Sequence, residues 1–188
     1  MTRHASRHAV LSETPAYDDK GRLRVVIETP KGSQVKYAYN PVCDCFELKT
    51  VMPEGMTFPY DFGFVPSTLG EDGDPLDVLV LMDFPVVPGC ILTVRPIGVI
   101  KAEQKDKGKK WARNDRLISV ATHARIHDEA HSLKGLGPHL LKEISAFFVN
   151  YNHLHDKKFK LLGESGAQTA SELVKAGQKR FEKRHSKN

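Results

Sequence analysis

The sequence predicts a mainly β chain of the α+β class: a small barrel or sandwich of short strands with two helices packed beside it. Two observations carry this. Short runs rich in Val and Ile, bounded by Gly, Pro or charge, follow one another through the first part of the chain. In the second part the apolar period changes to three and four residues. There is no internal repeat and no long linker, and 188 residues make one domain, 1–188, with enough chain to bury a core.

The elements follow in order. Residues 1–20 form a mixed segment whose start carries Arg3, His4, Arg7 and His8 and no acid up to Leu11, so they read as a partly ordered N-terminus. Strands are expected at Arg22–Glu28, Gln34–Tyr39, Cys45–Met52, Val78–Met82, Ile91–Lys101 and Arg116–Thr122. Leu140, Leu141, Ile144, Phe147, Phe148 and Tyr151 share one helical face, beginning just after Gly137-Pro138. Thr169-Ala170-Ser171-Glu172 reads as a capping box opening a last helix, with Leu173, Val174 and Phe181 on one side. Residues 183–188 read as a frayed basic tail.

Charge is modest overall and uneven locally. Lys and Arg number 28 against 23 Asp and Glu, a net +5. The bases crowd Lys101–Arg116 and Lys175–Lys187. No RNA-binding or zinc-finger pattern accompanies them, so a small polyanion explains them better than nucleic acid. Three cysteines, Cys43, Cys45 and Cys90, are an odd count and point to a reducing, cytoplasmic setting. Cys43-Asp44-Cys45 has one intervening residue and no second pair, which favours packing over metal binding. No apolar run approaches the roughly 20 residues of a membrane helix. His123, His127 and His131, four apart, would form a stripe on a helix, but their neighbours read as exposed surface.

The sharpest local signal is Glu71-Asp72-Gly73-Asp74-Pro75-Leu76-Asp77, directly before the apolar run Val78–Leu81. Clustered carboxylates repel unless a cation compensates them. Gly73 allows a tight turn and Pro75 fixes φ. A rigid turn that presents Asp72, Asp74 and Asp77 at a strand edge suits a hard divalent cation. It is not an EF-hand: counted from Asp72, position five is Leu76, position six Asp77 and position twelve Asp83.

Asp72–Asp77 resembles the signature of the family I soluble inorganic pyrophosphatases. Further matches follow in the family's order. They are Val25-Val26-Ile27-Glu28-Thr29-Pro30, Val35-Lys36-Tyr37, Phe58–Pro66, Pro88-Gly89, Arg95–Val99, Phe147-Phe148 and Tyr151. An ordered series is far more specific than one motif. The resemblance implies a distorted five-stranded barrel of the OB type flanked by two α-helices. It implies Mg²⁺-dependent hydrolysis of pyrophosphate to two orthophosphates, with Mn²⁺ or Zn²⁺ as substitutes. It also implies a homo-oligomer, hexamer favoured over dimer. In such chemistry two ions clamp phosphoryl oxygens and acidify a water.

The same resemblance implies roles for residues. Asp72 and Asp77 would be metal ligands, and Asp74 would take the proton of the attacking water. Glu28 would hold a further Mg²⁺. Lys36, Lys49 and Arg116 would grip the phosphates, and Tyr151 would hydrogen-bond one. The chain also departs from the pattern. Ala38 stands where a carboxylate is usual, Lys49 where an arginine is, Phe58 and Phe62 where tyrosines are, and Asn152 where a lysine is. The second acidic cluster is the most altered: Glu103-Gln104, a basic loop, then Arg113-Asn114-Asp115-Arg116. Direct alignment places Asn114 at a ligand position. Two Mg²⁺ need more than two carboxylates, so Asp115 and Glu103 are expected as replacement ligands, with Asp106 in reserve. Because Arg116 would then share Asn114's face, this choice requires a bulge or turn at Asn114-Asp115. Two other readings stand beside hydrolysis of pyrophosphate: a phosphate- or polyphosphate-binding protein with little turnover, and a hydrolase of another phosphoanhydride.

Overall fold

The computed structural model describes residues 10–105 and 107–186. Among these residues nine strands and two α-helices follow one another. The strands are β1 (Leu23–Thr29), β2 (Val35–Asn40), β3 (Cys45–Val51), β4 (Asp61–Val65), β5 (Leu76–Leu81), β6 (Ile91–Lys105), β7 (Ala112–Arg113), β8 (Arg116–Ala121) and β9 (Lys158–Gly166). The helices are α1 (Pro138–Leu154) and α2 (Ala167–His185).

Five strands close on themselves. The path runs β1-β4-β5-β8-β6, and β6 pairs β1 again, with β5 and β8 parallel and the other pairs antiparallel. Ranked along the chain, the ring strands are adjacent in the order first, second, third, fifth, fourth, which is the order of an OB barrel. Bulges at Ile27/Thr29 and Pro96/Gly98 distort the closure. A Cβ on Gly63 would run into the carbonyl of Val26. Glycine is therefore what lets β4 lie against β1.

The core is the inside of this ring. Val25, Ile27, Val78, Val80, Val94, Val99 and Leu117 are all buried there. Strands β5 and β8 are buried along nearly their whole length, as expected for a parallel pair covered on both faces. Helix α1 buries Leu141, Ile144 and Phe148 against the ring, and α2 buries Ala170, Val174 and Gly177.

All six expected strands and both helices are present, with three differences. Strands β4, β7 and β9 were not expected as strands. Helix α2 starts at Ala167, ahead of the expected capping box, and its N-cap Gly166 offers no side chain. Ser171 instead donates to Ala167 O, and Gln168 bonds Glu172. The helix runs to His185, so the segment from Lys183 is helical to that point. Residues 1–9, Asp106 and 187–188 lie outside the described residues, and with them the reserve ligand Asp106. His123 and His127 lie in turns and His131 in irregular chain, none of them on a helix, and His127 packs edge-on against Tyr60.

Candidate active site

The acidic turn joins β4 to β5 and is held from several sides. Gly73 has φ +94°, a conformation in which L side chains are strained. Asp72 Oδ1 accepts from Asp74 N at 3.2 Å, an Asx-type turn, and Gly70 N donates to Asp74 O at 2.7 Å. Buried Thr68 accepts from Leu76 N and donates to Val65 O, tying both ends of the turn. Helix α2 braces it from behind: Leu69 N donates to Gly177 O, Arg180 donates to Leu69 O, and Arg180 lies 3.6 Å from Glu71.

This rigidity forces carboxylates together. Partial burial of its carboxylate, then Asp77 and Asp74, push Asp72 up to about 6, against the Asp74 N–H and Arg116. Glu28, on β1, is pushed up to about 7, first by burial. The Tyr39 N–H, 2.7 Å from its Oε1, and Lys36 oppose this, while Asp77 and Asp74 add to it. Glu28, Lys36, Asp74 and Asp77 therefore share one electrostatic environment although three strands and a turn supply them.

The cationic side is equally built in. Arg116 opens β8 with its side chain only 6% exposed, and its Nη1 lies 2.7 Å from Asp77 Oδ2. Its guanidinium also stacks over Phe148 of α1. Lys36 Nζ stands 5.3 Å from the centre of the Phe62 ring and 5.5 Å from that of Tyr151. Tyr151 in turn packs against Phe58, Phe147 and His155. Asn152 is buried, and its Nδ2 donates to Phe148 O.

Three sequence expectations change at this level. The bulge at Asn114-Asp115 does not form. Arg113 pairs with Glu103 and Arg116 with Ile100, so equal lengths of chain separate the two pairs and none is inserted. Alternation then places Asn114 on the face of Arg116, and Asp115 on the face of Arg113. Asn114 Oδ1 accepts from the Arg116 guanidinium that holds Asp77, and its Nδ2 donates to Gln104. Asp115 reaches the same small cleft as Asp72 and Asp77, but its Oδ1 is taken by Ala102 N at 3.0 Å and Arg113 Nε at 2.6 Å. Glu103 lines the adjoining depression with Lys101, Trp111 and Arg113, outside the acidic cleft. Lys49 sits exposed at a β-bulge, and the residue paired with Lys36 is Thr50.

Sequence reasoning missed Gln104, Thr50 and His155. Thr50 Oγ1 and His155 Nε2 are 3.1 Å apart, and His155 Nδ1 lies 2.7 Å from Tyr151 O. The four-residue spacing from Tyr151 was the available signal for His155. Gln104 carried none, because its role depends on which face of β7 and β8 Asn114 occupies.

Comparison with known proteins agrees with this architecture over almost the whole chain. A protein of Synechocystis described as "Inorganic pyrophosphatase" is 38% identical over 164 residues, covering 87% of this chain and 94% of its own. The crystal structure of inorganic pyrophosphatase from Thermus thermophilus superposes with a TM-score of 0.84 at 33% identity, over 93% of this chain and 99% of that one. An inorganic pyrophosphatase from Coxiella burnetii gives 0.79 at 35% identity, over 88% and 98%. The Inorganic pyrophosphatase family profile matches residues 25–182, a span that contains the acidic turn, Glu28, Lys36, Arg116 and Tyr151; by sequence and by fold, the chain belongs to the inorganic pyrophosphatase family.

Proposed function

We infer that this protein hydrolyses inorganic pyrophosphate to two orthophosphates in a Mg²⁺-dependent reaction. The observation that carries the reading is the constrained turn Asp72–Asp77, with Asp77 paired to buried Arg116 and in electrostatic reach of Glu28. The residues fit a hard cation. Their oxygens are the donors Mg²⁺ takes, and Asp72 and Glu28 are raised first by burial and further by the neighbouring Asp77 and Asp74 carboxylates. Asp72 and Asp77 hold Mg²⁺ in this reading, and Glu28 holds an ion that arrives with the substrate. Bound Mg²⁺ supplies charge neutralisation and a more acidic water.

The chain's own groups do the rest. Lys36 and Arg116 bind phosphate oxygens, and Arg116 is fixed in place before substrate arrives. Tyr151 donates its hydroxyl to a phosphate oxygen. Asp74 accepts a proton from the attacking water as the new O–P bond forms; the P–O–P bridge breaks and the leaving phosphate keeps its oxygen. Lys49 reaches the substrate from the exposed hairpin. At the altered corner, Asn114 and Gln104 present amides and Arg116 supplies a fixed charge. We therefore assign the face toward Asp77 to Asn114, with Asp115 and Glu103 as outer carboxylates.

Further proposals concern assembly and setting. Phe84, Val87 and Ile126 are 77%, 72% and 75% exposed, apolar surface suited to a homo-oligomer, a hexamer in preference to a dimer. Sedimentation analysis decides between them. No helix among the described residues is long and apolar enough to cross a membrane. The cysteines are free thiols, in keeping with a cytoplasmic setting. Phosphate release from pyrophosphate, ATP and tripolyphosphate, each with and without Mg²⁺, tests the function. Release from pyrophosphate with Mg²⁺ is expected. No release above a buffer blank leaves only the binding reading, and preference for ATP or tripolyphosphate supports the other hydrolase.

A further inference from the structure

The β2–β3 hairpin carries a second group of donors that shares no residue with the acidic turn. Its tip, Asn40–Cys45, is folded back tightly: Asp44 has φ +50°, and Val42 N donates to Asn40 Oδ1. This brings Cys43 Sγ within 2.9 Å of Cys45 Sγ. Glu47 lies on the same side, its Oε1 3.9 Å from Cys43 Sγ and held at 2.8 Å by Asn40 Nδ2. Tyr39 donates its hydroxyl to Asp44 at 2.6 Å and pins the turn from beneath. Among the described residues this is the one group of His, Cys, Asp and Glu side chains whose ligand atoms all lie within 4.8 Å of one another. Packing does not account for it, because Cys43, Cys45 and Glu47 are all exposed.

We propose that Cys43, Cys45 and Glu47 form a binding site for a thiophilic divalent cation, Zn²⁺ or Cd²⁺, with water completing the coordination. Two thiolates about 2.3 Å from a tetrahedral ion stand roughly 3.7 Å apart, so these sulfurs need open by less than about 1 Å. The hairpin has already met the cost of bringing them together. The donor set separates the two sites by chemistry: sulfur selects against Mg²⁺, and the all-oxygen acidic turn selects for it. Binding replaces two thiol protons, which go to solvent, and leaves the Glu47 carboxylate as third ligand. Affinity increases with pH, as the ion competes with those protons.

The test uses the full chain, reduced with a phosphine and freed of metal, with no turnover measurement. Cd²⁺ is titrated while thiolate-to-metal absorbance and proton release are followed in the presence of millimolar Mg²⁺. The expected result is saturation at one equivalent with two protons released. The band is lost in Cys43→Ser and in Cys45→Ser, weaker in Glu47→Gln and unchanged in Cys90→Ser. Circular dichroism confirms that the exposed substitutions leave the fold intact. No band at one equivalent, a band that survives Cys43→Ser, or displacement by Mg²⁺ overturns the proposal. So does a chain that forms a Cys43–Cys45 disulfide under these reducing conditions and binds no metal.

Discussion

Replacing Arg116 by Met removes the one buried cation bonded to Asp77 while keeping an unbranched chain of similar length against Phe148. Breaking a buried ion pair from one side costs about 3–5 kcal/mol. The Asp77 side chain is 24% exposed, so water recovers part of this, and a loss of about 2 kcal/mol is expected. For a chain of this size that corresponds to a fall in Tm of about 4–8 °C. The variant also leaves Asp72, Asp74 and Asp77 without the charge that restrains their repulsion. Mg²⁺ then gains differential affinity for the variant's turn, and each tenfold gain returns about 1.4 kcal/mol. The assay is thermal unfolding of both proteins in EDTA and in a Mg²⁺ series. The Tm gap should be widest in EDTA and should narrow as Mg²⁺ rises, while turnover stays low because the guanidinium proposed to bind phosphate is gone. Equal Tm values in EDTA, or a gap indifferent to Mg²⁺, would refute the view that Arg116 is the turn's built-in counter-charge.

Asp77→Asn should weaken Mg²⁺ binding measured by calorimetry, whereas Asp74→Asn should retain binding and lose turnover; equal affinity in wild type and Asp77→Asn would remove Asp77 from the ligand set. Asn114→Ala should cost more activity than Asp115→Asn, and the reverse order would restore Asp115 to the inner position. Asp61 is buried, Lys31 N donates to its Oδ1 at 2.8 Å, its Oδ2 has no hydrogen-bond partner, and burial raises its pKa. The folded state therefore binds this proton more tightly than the unfolded chain, and stability falls as pH rises above about 4. Asp61→Asn should flatten that slope in urea unfolding, and an unchanged slope would show that the charge is accommodated. Gly177→Ala would place a Cβ 2.8 Å from Leu76 Cδ1 and 3.1 Å from Thr68 Cβ. Overpacking of about 1–3 kcal/mol should outweigh the helix-propensity gain of about 1 kcal/mol, giving a lower urea midpoint.

The parts of the fold legible in sequence were those where burial and period agree. Strands β1, β5, β6 and β8 announce themselves through Val and Ile, and α1 through its single apolar face. Strand β9 gave no such signal. It is mostly exposed, contains Gly163 and takes its geometry from pairing with β6, so tertiary context decides it. Strand β4 was hidden inside an aromatic and glycine-rich stretch that reads as a turn by composition. The acidic turn was legible because Gly73 and Pro75 constrain it locally. The choice between Asn114 and Asp115 was not, because one residue of register exchanges the two faces and register is set by β6, not by the segment itself.

The brace behind the acidic turn links the site to the order in which the chain is made. Arg180 bonds Leu69 across 111 residues of sequence, and Gly177 receives the neighbouring N–H. Glu28 and Lys36 leave the ribosome before the acidic turn, and the helix that stiffens the turn follows long after it. Closing so long a loop is entropically slow, and the contact has nothing to close onto until α2 has been made. A nascent chain lacking α2 should therefore carry every proposed metal ligand and phosphate-binding residue yet hold its aspartates too loosely to organise them. Hydrolytic competence then waits for α2, and a single proteolytic cut before Gly177 should return the chain to silence while leaving the proposed ligands in place.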